Sequence, residues 1–142
     1  RKKCAVRVDL VARPTEEEAW RDVRIGFENV SEETRNRLRG QQTDSVGAAR
    51  QAALRPTEAR RYDDLIIAPN LWAGFSLLRG GPSLGIVGSY EQCAEKLDEL
   101  IRLGADAFIL AGTPHLEEAY RVGEEVLPLL GKAAGQQRVA AE

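Results

Sequence analysis

Two arginines in the sequence stand where a guanidinium group could bind an anion. Arg7 and Asp9 share one face of an alternating run, residues 4–11, whose other face is apolar. Arg79 precedes two glycines in a loop that we expect to move. The planar fork of N–H donors on a guanidinium suits oxyanions. The plainer alternatives are an ion pair between Arg7 and Asp9, and a solvated Arg79.

The other side chains that could do chemistry have ordinary interpretations. His115 is the only histidine, and no cysteine lies near it in sequence, so no metal site is expected. Cys4 and Cys93 lie far apart without metal-ligand spacing, and we expect two buried thiols of a cytoplasmic chain. Thr113 is predicted to be the N-cap of a helix that begins with Pro114.

Length and composition indicate one globular domain. The chain has 142 residues, of which 43% are hydrophobic and 30% are charged. A net charge of −2 gives no field that would favour nucleic acid or an anionic membrane. No apolar run approaches the ~20 residues of a membrane span. The sequence contains no methionine, even at position 1, which favours a piece of a longer protein.

Strand and helix patterns alternate along the chain. Residues 4–11 predict a strand, and two capping boxes, Thr15 with Glu18 and Ser89 with Gln92, predict helix starts. Gly104 is a plausible stop for the second of these helices. Further short apolar runs predict three strands, at residues 65–68, 84–87 and 107–111. A last helix is predicted over residues 114–127.

Residues 28–62 interrupt this alternation with a polar segment that we predict to be a mobile insertion. Two short helices are plausible in it, one after Ser31 and one over residues 47–54. Seven arginines fall within residues 35–61. An arginine stripe can indicate nucleic-acid binding, but this one lacks interleaved aromatic residues and a known motif, so nucleic acid is not expected.

The alternation predicts an α/β fold with parallel strands and right-handed crossovers. Four strands are about half of a (β/α)8 barrel, which takes ~250 residues. We therefore predict a half-barrel of four parallel strands over residues 1–131, with the mobile insertion at 28–62 and a flexible tail at 132–142.

Three motifs carry a resemblance to a known family. They are TDSVG at residues 43–47, PNLWAG at 69–74 followed by LRGG at 78–81, and PHLEEAYR at 114–121. Their order and spacing resemble the C-terminal portion of the FMNH2-dependent alkanesulfonate monooxygenases, which are luciferase-like flavin enzymes. The similarity runs from about Val6 to Leu130 and covers only the C-terminal part of the family's barrel.

The resemblance implies a TIM barrel that uses reduced FMN and oxygen to convert an alkanesulfonate to an aldehyde and sulfite. It implies a separate NAD(P)H-dependent flavin reductase as partner. Arg7 and Arg79 match arginines of the family's active site, and the insertion would correspond to its mobile loop. Two positions depart from the pattern, because Asp9 replaces a histidine and Thr113 replaces a tyrosine. A carboxylate at position 9 would repel an anionic substrate.

Three functions stay open at this point. The chain could belong to a monooxygenase whose N-terminal half is missing, and would then be inactive alone. It could be a non-catalytic half-barrel, for which open sheet edges and an uncovered face predict a tight homodimer. It could also be a flavin-binding module without chemistry, since both arginines are kept while the histidine and tyrosine are lost.

Overall fold

The structure, a computed structural model, describes residues 2–40 and 44–132 of the chain. A 3₁₀ turn, Asp63–Leu65, follows the insertion, and the last helix continues as a π turn and a 3₁₀ turn to Leu129. The strands and helices are β1 (Ala5–Arg13), α1 (Glu16–Glu28), α2 (Glu32–Arg39), α3 (Val46–Ala52), β2 (Ile66–Ala68), β3 (Leu71–Trp72), α4 (Ser76–Arg79), β4 (Gly85–Ser89), α5 (Tyr90–Arg102), β5 (Ala107–Ala111) and α6 (His115–Arg121).

The five strands form one open, mixed sheet in the order β2-β3-β4-β1-β5. The central strand β1 is parallel to β4 on one side and to β5 on the other. Asp9 lies opposite Gly85 of β4 and Ala111 of β5. The predicted α/β class is confirmed, and so are strands at each of the four predicted places.

The predicted half-barrel with four parallel strands is not confirmed. Only β4, β1 and β5 are parallel, while β2 and β3 form an antiparallel hairpin. Pro69 and Asn70 alone connect β2 to β3, and a parallel pair would need a crossover of about a dozen residues. Asn70 turns the chain with a φ of 59°, and its side-chain amide donates to the carbonyl of Val87 at 2.9 Å. In addition β1 lies between β4 and β5, whereas a barrel places consecutive strands side by side.

Helices pack on both faces of β1 and β4. Val8 and Leu10 of β1 belong to a buried cluster with α5 and the π turn, while Val11 packs with the cluster around α1. This confirms the predicted alternation of β1. The same alternation places Arg7 and Asp9 on the α1 face of an open sheet and not inside a closed barrel.

A buried aromatic cluster joins the end of the insertion to the hairpin. Trp72 is fully buried, with its ring centroid 5.0 Å from that of Phe75 and 6.0 Å from that of Phe27. Its indole N–H donates to the carbonyl of Tyr62 at 3.1 Å. The hydroxyl of Tyr62 in turn donates to the carbonyl of Trp20.

Local signals placed the starts of α1, α2 and α5 correctly. Both capping boxes form, at Thr15 and at Ser89. Ser31 caps α2, and α3 lies where the second helix of the insertion was predicted. Gly104 ends α5 with a φ of 106°. Thr43 of the first motif and residues 133–142 of the predicted tail lie outside the described residues.

The two cysteines differ in burial. Cys93 is buried among apolar side chains, and this burial raises the pKa of its thiol to about 12. The prediction that Cys4 is also buried is wrong, since it is exposed. Cys4 lies just before β1, where its backbone N–H donates to Asp106 at 2.8 Å and the neighbouring Ala5 is exposed as well. None of the helices at residues 2–40 and 44–132 has the length and apolar character needed to span a membrane.

Candidate functional site

A cleft of about 310 Å³ opens at the carboxyl ends of β1 and β5. Its walls come from β1, α1, the segment around α4 and the loop after β5, and they are mostly apolar; examples are Val11, Val23, Phe75 and Leu78. The chain leaves β1 toward one face of the sheet and leaves β5 toward the other. In open α/β sheets such a divergence at the carboxyl ends of neighbouring strands is the usual place for a ligand.

An ion pair between Asp9 and Arg79 lies at one wall of the cleft. Asp9 is only 4% exposed, and the guanidinium of Arg79 donates to its carboxylate. Burial raises the pKa of the Asp9 carboxyl above its usual value, although Arg79 acts in the opposite direction. Gly80 and Gly81, with φ values of 77° and 84°, complete the turn that follows Arg79.

A second charged group lies across the cleft and ties three elements together. Arg13, at the end of β1, donates to Asp22 of α1 at 2.7 Å and pairs with Glu118 of α6 at 3.0 Å. Arg121 donates to the same Glu118 at 2.5 Å. Glu118 is 3% exposed. These carboxylates raise the pKa of Arg13, although burial alone would lower it, so the guanidinium stays charged.

Close backbone approach holds α6 against the end of β5. A Cβ atom on Gly112 would lie 2.4 Å from the Cβ of Glu118, a distance that no side chain could tolerate. The absence of a side chain at position 112 therefore lets Glu118 reach Arg13. His115 also contacts this turn, through a hydrogen bond between its Nδ1 atom and the carbonyl of Gly112.

The structure separates the residues that the sequence singled out. Arg79 and Thr113 line the cleft, whereas Arg7 is exposed nearer the start of β1 and is not part of the lining. Asp9 pairs with Arg79, so the alternative pairing with Arg7 is wrong. Thr113 is not the predicted N-cap, because α6 begins at His115 and Pro114 occupies the cap position. The Arg13 cluster was missed, since Arg13 and its partner Glu118 are 105 residues apart in sequence.

No family model matches this sequence. Within the described part of the chain, no group of three or more histidine, cysteine or acidic side chains is placed to hold a metal ion. The cleft thus offers an apolar surface with a guanidinium on each side, Arg79 and Arg13, each already paired with carboxylates. Such a site suits a partly apolar anion, provided that the anion competes with Asp9 for Arg79.

Replacing Asp9 by asparagine is expected to stabilise the chain at pH 7. The pKa of Asp9 is raised in the folded state, so its stabilising contribution is full below the unfolded pKa and is lost as the pH rises through the folded pKa. Asparagine does not ionise, so the variant does not lose this stability at pH 7. Thermal melts from pH 3 to pH 7 should show a Tm difference from the wild type that is largest at pH 7 and smallest at pH 3.

Asp64→Asn is the control with the opposite sign. Backbone N–H groups of Arg61 and Arg60 lower the pKa of this partly exposed carboxylate, so its contribution is present at pH 7 and is lost in acid. Asp64→Asn should therefore lower the Tm at pH 7. An Asp9→Asn protein that melts below the wild type at pH 7 would show that the Arg79 pair outweighs the cost of burial.

Proposed function

We propose that this chain is the C-terminal part of an FMNH2-dependent alkanesulfonate monooxygenase of the luciferase-like family, and that it is inactive alone. One observation supports this above the others. Arg79, which the family resemblance marks as an active-site arginine, lies in the wall of a cleft at the carboxyl ends of parallel strands. Arg7, the second proposed catalytic residue, lies two residues before Asp9 on the same face of β1.

The size of the cleft fits a shared site better than a complete one. At about 310 Å³ it is at the lower end of the range for small-molecule pockets, and FMN with a sulfonate would need more room. The chain would contribute one wall, and the remainder would come from the N-terminal half of the barrel. Bound reduced FMN would supply the electrons that activate oxygen, and the flavin reductase would supply the reduced FMN.

The residues of this chain would bind and orient the anionic parts of the ligands. The guanidinium of Arg79 can donate two parallel hydrogen bonds to a sulfonate or phosphate group. Asp9 competes for those donors, because its buried carboxylate already accepts from Arg79. An anion would displace Asp9 more easily if Asp9 were protonated, and its raised pKa favours that exchange.

Exposed apolar side chains near β5 support the need for a partner. Ile109 is 60% exposed on β5, which is an edge strand, and Leu116 of α6 is 66% exposed. An uncovered parallel edge of this kind invites another strand. In the monooxygenase the partner would be the missing half of the barrel. The second candidate function, a non-catalytic protein that self-associates, would place a second copy there.

An anaerobic titration of the chain with reduced FMN, followed by fluorescence, tests the proposal. Wild-type chain, as one wall of the site, should bind flavin saturably below millimolar concentration, and Arg79→Gln should bind at least tenfold more weakly, since a hydrogen bond to a charged group contributes about 1.5–3 kcal/mol. Arg50→Gln is the matched control, because Arg50 is an exposed arginine of α3 outside the cleft. Asp9→Asn should tighten binding.

Two results would count against the monooxygenase. Absence of saturable binding at millimolar flavin would remove flavin from this chain's function. If Arg79→Gln and Arg50→Gln lose flavin affinity to the same extent, then Arg79 affects binding only through the net charge of the chain. Light scattering on the same samples separates the candidates further, because a stable dimer that binds no flavin favours the self-associating protein.

A further inference from the structure

A second pocket, of about 430 Å³, lies between the end of α2 and the segment that follows α3. It is distinct from the cleft, with which it shares no lining residue. Two guanidinium groups, those of Arg39 and Arg55, enter its lining. The rest of the wall is made of small and mostly apolar residues, namely Ala52, Ala53, Pro56, Thr57 and Ala59.

The arginines at this pocket lack acidic partners. Arg39 and Arg55 are half-buried, and Arg35 and Arg60 lie close enough to affect the pKa of Arg39. Within residues 2–40 and 44–132, no carboxylate oxygen lies within 4.0 Å of a guanidinium nitrogen of these four. Five other arginines of the described chain do have such partners; these five are Arg13, Arg24, Arg61, Arg79 and Arg121.

Buried hydroxyl groups hold Arg55 in place. Its Nη1 atom donates to Ser76 Oγ at 2.7 Å, and Ser76 Oγ donates to Ser83 Oγ at 3.1 Å. Ser83 is fully buried and donates to the carbonyl of Ala73 at 2.5 Å. This chain of hydrogen bonds uses one of the five N–H donors of Arg55 and leaves the others for a ligand.

Arg35 is held in a similar way at the edge of the group. Its guanidinium stacks on the ring of Phe27 at 4.4 Å and donates to the carbonyl of Phe27 at 2.8 Å. Arg55, which lines the pocket, and Arg35, whose charge acts on Arg39 without lining the pocket, therefore have fixed positions before any ligand arrives. Preorganised donors lose little entropy on binding, which favours affinity.

The positive charges repel one another. Burial and the neighbouring charges of Arg60 and Arg35 lower the pKa of Arg39. Burial and the charge of Arg39 likewise lower the pKa of Arg55. Half-buried like charges cost more than exposed ones, because water screens them less. An anion in the pocket would relieve this repulsion, and a dianion would relieve more of it than a monoanion.

We propose that Arg39 and Arg55 bind the phosphate group of a small phosphate monoester, whose organic part lies against the apolar wall of this pocket. Two guanidinium groups match the charge of a phosphate monoester dianion, and their planar forks match its oxygens. The pocket has the volume of a small-molecule site, so it has room for more than the phosphate alone. This site is independent of the proposed flavin and sulfonate site.

Isothermal titration of the full chain with methyl phosphate, in chloride of matched ionic strength, tests the site. Wild-type chain should bind saturably, and Arg39→Gln should bind at least tenfold more weakly. Arg37→Gln is the matched control, since Arg37 is exposed and lies in the same last turn of α2. Its affinity should stay within twofold of the wild type.

Melting temperatures without phosphate give a second readout. Both variants lose the same favourable interaction of an arginine with the carboxyl end of α2. Arg39→Gln in addition removes one of the charges that repel one another, so its Tm should lie above that of Arg37→Gln. Arg39→Lys keeps the charge but loses the fork, so it should bind methyl phosphate more weakly without this gain in Tm.

Other anions decide which ligand the pocket takes. Inorganic phosphate should bind more weakly than methyl phosphate, and methanesulfonate more weakly still. Binding of inorganic phosphate alone would overturn the assignment to an ester. Equally tight binding of methanesulfonate would overturn the preference for a dianion. Equal affinities of Arg39→Gln and Arg37→Gln for methyl phosphate, or no binding beyond the chloride control, would overturn the site itself.

Discussion

Replacing Trp72 by alanine is expected to lower the free energy of unfolding by about 3–5 kcal/mol, the range for large aromatic residues in a core. Trp72 is fully buried and contacts the rings of Phe27, Tyr62 and Phe75. Alanine would leave a cavity among these rings and leave the carbonyl of Tyr62 without its donor. Because single domains are stable by only ~5–15 kcal/mol, this one change could remove much of the margin.

Urea denaturation followed by circular dichroism measures the effect. Trp20→Ala is the control, since Trp20 is only partly buried at the edge of the same cluster and its indole N–H bonds to the neighbouring Glu16. Its loss should be less than half of that for Trp72→Ala. Similar losses for the two variants would mean that the hairpin contributes little to the cooperative core.

Replacing Glu118 by glutamine is expected to cost about 3 kcal/mol, since breaking a buried ion pair leaves charge without compensation. The change keeps the shape of the side chain but removes the charge that Arg13 and Arg121 share. Arg13 would keep only Asp22 as a partner. We therefore expect the contact between β1 and α6 to loosen, which would widen the cleft beside Gly112.

Glu117→Gln is the matched control for this prediction. Glu117 is the preceding residue of the same helix turn, but it is exposed, so its change should cost less than about 0.5 kcal/mol. Hydrogen exchange of the amides in α6 gives a second measure, because protection there should fall in Glu118→Gln alone. If the two variants are equally stable, apolar contacts and not the ion pairs of Glu118 hold α6 against β1.

The sequence could predict those features that depend on neighbours along the chain. The capping boxes at Thr15 and Ser89 require only residues three positions apart, and the alternation of β1 requires only its own period of two. These local rules placed the starts of α1 and α5 and the two faces of β1. Arg79 could be singled out by its motif, and the structure does place it in the cleft.

Features that depend on distant residues could not be predicted. The pairing of Asp9 with Arg79 joins positions 70 apart, and the bond between Arg13 and Glu118 joins positions 105 apart. Strand order is of the same kind, because an alternating pattern does not say which strand is the neighbour. The hairpin was missed although Pro69 and Asn70 carry a local turn signal. Its strands are too short to show a period of their own.

The two ends of the sheet differ in a way that limits how copies of this chain could join. The strand β2 at one end has three residues, with a shift of register beside β3, so it offers a poor template for a further strand. The strand β5 at the other end is regular and open. If two copies pair through their β5 strands, each copy has used its only regular edge strand, and no further copy can add to the sheet. Association through this sheet should therefore stop at a closed pair with two-fold symmetry instead of propagating into fibres.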